Sequence, residues 1–98
     1  MADEYTAPLV DLQRRSTAAW DAVEAYRKLV DSQRRAEPRV DTTRGPALRP
    51  WTPAEDAGYD QLHTAAVQAA EALRAGIDAA GLDGGYDVTQ GLHKAARE

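Results

Sequence analysis

The 98-residue chain has no cysteine and no phenylalanine, one methionine and two tryptophans. Without cysteine there is no disulfide framework and no thiolate metal site. Large aliphatic side chains are scarce too: one Ile, six Val and eight Leu stand beside twenty Ala. Nearly half of the 43% hydrophobic fraction is therefore alanine, which favours helix but buries little area. No apolar run reaches the roughly 18 residues that a membrane span needs. The opening MADEYTAPLV lacks a basic stretch followed by an apolar one, so no secretory signal is expected and the cytoplasm is the expected location. Lysine is also rare, with ten of the twelve basic residues being Arg, a bias that together with the alanine points to a GC-rich bacterial genome.

What remains is a helical pattern. Residues 8–36 carry a heptad stripe of Leu9, Leu12, Ser16, Ala19, Val23, Tyr26 and Val30, widened by Trp20, Ala22 and Leu29. Pro8 suits a first helical turn, where its missing N–H costs nothing. Glu24 and Lys28 stand four apart on the polar face, a favourable order for an ion pair. Residues 37–52 form a Pro/Arg-rich connector in which Pro38, Gly45, Pro46 and Pro50 forbid continued helix. No period-two segment is long enough to predict a strand. Thr52-Pro53-Ala54-Glu55 is a capping box that opens a second helix over 53–80, ended by Gly81. Its stripe is Tyr59, Leu62, Ala66, Ala69, Leu73, Gly76 and Ala80, flanked by Ile77. Asp87 with Gln90 predicts a capped short helix over 87–97.

Two long helical segments joined by one break predict a single all-α domain. It is an antiparallel hairpin with a short C-terminal helix, becoming a four-helix bundle on dimerisation. Dimerisation is expected because so few bulky residues leave each hairpin short of core. Trp20, Val23, Tyr26, Leu62, Leu73 and Ile77 are the expected core or dimer seam.

Trp51 stands between two prolines, just before the N-cap. A residue there often packs on the fourth helical position, but here that is Asp56. Trp51 is therefore expected either to plug the connector end of the hairpin, against Leu29, Val30, Val40 or Leu48, or to anchor a partner. From Arg27 to Arg49 seven basic groups face three acidic ones. These arginines either pair with Glu55, Asp56 and Asp60 or form a docking patch. Trp51, Arg34, Arg35, Arg39 and Arg44 are the candidate partner-binding residues.

No catalytic residues, metal ligands or cofactor are predicted. Asp60, His63 and His93 fall short of a converging ligand set, and no phosphate-cradling or nucleophile motif is present. The net charge is +1 over residues 1–49 and −5 over 50–98, an acidic balance that disfavours nucleic acid as the main ligand. The expected role is a non-enzymatic interaction protein, an adaptor, regulator or assembly factor. Its expected partner is itself, as a homodimer, and an acidic protein is a second candidate. An accessory protein of nucleic acid, using the basic connector, is an alternative.

Two resemblances bear on this. WTPAED, residues 51–56, resembles the opening of Myb/SANT DNA-binding repeats, but Gly58 stands where those place a large apolar residue and no later Trp follows. The length, the hairpin and the central Trp51 resemble the WXG family of small ESX-secreted proteins, which would imply export as a paired helical hairpin. The glycine of the Trp-x-Gly motif is replaced by Pro53, and Gln90 follows Tyr86 where the export signal has an acid.

Overall fold

The structure, a computed structural model, describes residues 5–98. Helix α1 spans Ala7–Ala36, strands β1 and β2 span Val40–Thr42 and Gly45–Ala47, and helices α2 and α3 span Pro53–Ala79 and Tyr86–Arg97. α1 packs along α2 as a hairpin, and α3 folds back along α1 while standing off from α2. The molecule is a rod of 60 × 22 × 20 Å with a radius of gyration of 18.7 Å, against about 13 Å for a compact chain of this length. Among the described residues, no helix is long and apolar enough to cross a membrane.

Local chemistry sets the helix ends. Thr6 caps α1 through its hydroxyl oxygen, which accepts from the Leu9 N–H. At α2 both halves of the capping box form: the Thr52 hydroxyl accepts from the Glu55 amide at 3.1 Å, and Glu55 accepts from the Thr52 amide at 2.8 Å. α2 closes at Gly81, whose φ of +72° lies in the left-handed region that favours glycine. The cap predicted for α3 does not form. Gly85 is its N-cap without a side-chain bond, and Asp87 sits inside the first turn. There the carboxylate still suits the positive end of the helix.

The strands correct the expectation of an irregular connector. β1 and β2 pair antiparallel, with Val40 opposite Ala47, Asp41 opposite Pro46 and Thr42 opposite Gly45. Three residues per strand are too few for periodicity to register. The turn dictates the hairpin instead. Gly45 takes φ +103°, and the Thr42 hydroxyl donates to the Gly45 carbonyl at 2.6 Å while accepting from the Arg44 amide. Pro46 is tolerated because a two-stranded ribbon has only edges.

The core is thin. Leu9, Val23, Val30, Ala66 and Leu92 are its buried apolar residues, joined by Gln13 and Ser16. Burial of Gln13 was not legible from its polarity; its side-chain amide donates to the Thr17 hydroxyl at 3.1 Å. Of the expected seam, Val23 is buried, while Tyr26, Leu62, Leu73 and Ile77 are half-buried. Trp20 is 40% exposed, so of the two expected places, core or dimer seam, it does not lie in the core of the single chain. Alanines and glycines let the helices approach. A Cβ on Gly58 would lie 2.9 Å from the Tyr26 ring, and one on Gly76 would lie 2.6 Å from the Leu12 side chain. Helical glycine costs about 1 kcal/mol against alanine, and here each provides a notch for an α1 side chain.

Candidate functional site

The hairpin has two distinct ends, and the sequence-predicted residues divide between them. At the connector end, Arg49 is the hub. Its guanidinium meets both Glu55 oxygens, at 2.7 and 3.0 Å, and its Nε donates to Glu37 at 2.9 Å. Arg49 and Glu55 are 19% and 14% exposed, so water competes little for this bidentate pair. Arg34 ties in α1: its Nε donates to the Arg49 carbonyl at 2.6 Å and a terminal nitrogen to Asp31 at 3.0 Å. Arg39 donates to the carbonyls of Arg35 and Glu37, satisfying groups at the end of α1. The chain's own acids and carbonyls thus occupy Arg34, Arg39 and Arg49. Arg35 and Arg44 remain exposed.

The same cluster sets a pH dependence. Hydrogen bonds from Arg49, then from the Thr52 backbone, hold the Glu55 carboxyl down to about 2 from its ordinary 4.5. A carboxylate held low contributes stability that is complete above the unfolded pKa and is lost as pH falls through the folded one. Thermal stability should therefore decline between pH 4.5 and 2, and Glu55→Gln should flatten that part of the profile. Superimposable acid profiles for the two proteins would contradict the assignment.

Trp51 is half-buried and belongs to this end. Its ring partners are Tyr26 at 6.2 Å and Tyr59 at 5.8 Å, the latter edge-on at 90°. Of the four expected neighbours, Leu29 and Val40 stay 53% and 38% exposed, while Val30 is buried and Leu48 half-buried. Tyr59 stacks on His63 at 5.9 Å, and His63 meets Trp20 edge-on at 5.5 Å. Five rings therefore run as one ladder from the connector to the middle of the hairpin. Trp51, offered by the sequence as a partner anchor, is a rung of it.

On α1 the expected Glu24–Lys28 pair is the looser one, at 4.0 Å. Arg27 takes Glu24 more closely, with Asp31 on its other side. The Arg27 hydrogen bond is the main cause that lowers the Glu24 pKa.

The other end is open. Beyond Trp20, an open groove runs along α2, with Val67, Ala70, Leu73 and Ile77 on its floor. Glu71, Arg74 and Asp78 rim it, and Gly84 closes one end. A second groove shares Trp20, Leu73 and Ile77 and continues under α3 to Gln13, Ser16 and Leu92. Among the described residues Glu71, Arg74 and Asp78 make no ion pair, whereas Asp11, Arg14, Glu24, Arg27, Lys28, Asp31 and Arg34 of α1 do. Sequence reasoning named Trp20, Leu73 and Ile77 for a seam, but missed Val67 and the three rim charges. Their signal was an apolar and charged flank beside the main stripe.

Arg14, also missed, holds α3 in place. It donates to the Ala96 carbonyl at 3.0 Å and to the Glu98 carbonyl at 2.9 Å. A cation there suits the negative end of a helix. Among the described residues no three potential metal ligands come together. Comparison with family models, with curated proteins and with solved structures finds no match for this chain.

Proposed function

We propose that the chain is a non-enzymatic protein-interaction module, an adaptor or assembly factor, that works as a homodimer and completes a four-helix bundle by pairing. The observation that supports this most is surplus surface. The chain exposes 7056 Å², whereas a folded monomer of its 10.6 kDa exposes about 5,500 Å². The excess, about 1,550 Å² per chain, is roughly twice the 800 Å² or so that a standard interface removes from each partner, so one such interface would absorb about half of it. It coincides with a thin core and with a half-exposed Trp20 beside the groove, and tryptophan is among the residues that dominate interface energies.

The connector end is a weaker candidate, because internal partners already hold Arg39 and Arg49 of the connector and Arg34 of α1. Light scattering at micromolar concentration tests the reading. The expected mass is twice 10.6 kDa, and a single 10.6 kDa species would remove it.

A further inference from the structure

We propose that two copies meet along α2 in antiparallel register, with the two-fold axis between Ala72 and Leu73. In that register Arg74 of each chain faces Glu71 of the other. The inference rests on the pairing reading above and adds its geometry.

Three observations lead to it. The groove residues of α2 run from Val67 to Asp78, about 17 Å of helix, and the midpoint of that run lies between Ala72 and Leu73. Centring the pair there covers the largest part of the groove in both copies at once, as an isologous interface requires. Residues 71 and 74 then fall at the same level. Second, both side chains are exposed, and among the described residues neither has an ionic partner within its own chain. Third, the sign pattern selects direction. A parallel pair would set each residue level with its own copy, Arg74 against Arg74 and Glu71 against Glu71. Like charges opposed across an interface weaken it, whereas the antiparallel pair alternates them. Antiparallel helices also oppose their dipoles favourably. The apolar floor of Val67, Ala70 and Ile77, with Trp20 from α1, would be covered in both copies.

Charge reversal reads this register. Glu71→Arg sets Arg against Arg74 of the partner, and Arg74→Glu sets Glu against Glu71. Each single variant should raise the dimer dissociation constant about tenfold by sedimentation equilibrium at low salt. Mixing the two variants in equal amounts should restore wild-type affinity as a heterodimer, because every facing pair is again opposite. The doubly reversed chain, Glu71→Arg with Arg74→Glu, should also pair normally. Both positions are exposed, so far-UV circular dichroism should show unchanged helix content in all variants. A dimer whose affinity is insensitive to the single reversals, or is not restored by mixing, overturns the register while leaving pairing intact. A wild-type chain that stays at 10.6 kDa overturns both.

Discussion

Trp51→Ala should lower the stability of the folded chain by about 3 kcal/mol, a melting temperature drop of ~12–20 °C for a domain of this size. The ring lies between Tyr26 of α1 and Tyr59 of α2, so its removal opens a void at the point where the connector rejoins the hairpin. The backbone there has little to collapse with, because Pro50 and Pro53 flank the residue and the capping box fixes Thr52. Large aromatic truncations in cores cost about 3–5 kcal/mol, and half-burial places this one at the low end. Trp51→Phe keeps an aromatic rung and should cost less than half as much. Urea or thermal unfolding by circular dichroism measures both. A Trp51→Ala chain within about 0.5 kcal/mol of wild type would show that the ring does not hold the connector, and would return it to the role of partner anchor.

The second large effect is at Leu92. This side chain is fully buried, and it is the one residue of α3 that is. Among the helices α3 packs on α1 alone, and besides Leu92 its apolar support includes the Tyr5 ring, which lies against Gly91. Leu92→Ala removes about 2–4 kcal/mol of burial and packing. That is comparable with what holds a twelve-residue helix in place, since isolated helices of such length are marginal in water. The expected result is local: amides of α3 lose hydrogen-exchange protection while those in the middle of α1 and α2 keep theirs. Arg14 then loses the Ala96 and Glu98 carbonyls it now holds. Equal loss of protection in all three helices would instead show that α3 unfolds with the hairpin as one unit.

These two sites also show what was legible in the sequence. The capping box at Thr52 could be read because it depends on residues three apart, and the proline–glycine break was equally local. The helical stripes were legible for the same reason: periodicity reports which face is apolar. What faces that side was not. The end of the hairpin that Trp51 plugs could be read, but its ring partners Tyr26 and Tyr59 are set by how α1 and α2 slide past each other. That offset depends on the Gly58 notch that receives Tyr26. Nothing in the local spacing of Gly58 announces a ring 32 positions earlier, at Tyr26. The β-hairpin escaped for a different reason: its strands are shorter than a detectable period, and one glycine with a bonded threonine builds it. Arg14 is a third kind of omission. On α1 it reads as one more surface cation, and only the return of α3 gives it helix-end carbonyls to hold.

The scarcity of bulky side chains was the most informative feature of the composition. It predicted a hairpin short of core, and the half-exposed Trp20 and the open groove of α2 are where that shortage falls. A pair of rods overlapping along the C-terminal half of α2 would cover that face.

Small-angle X-ray scattering of the wild-type chain at micromolar concentration tests this most directly, because it reads mass and length together. Pairing about the Ala72–Leu73 axis, which lies roughly 10 Å from the Ala79 end of α2, offsets the two 60 Å rods and predicts a forward-scattering mass of twice 10.6 kDa with a maximum dimension of about 90 Å. A particle of single-chain mass, or a doubled mass with a dimension of about 120 Å from end-to-end contact of two 60 Å rods, would contradict it.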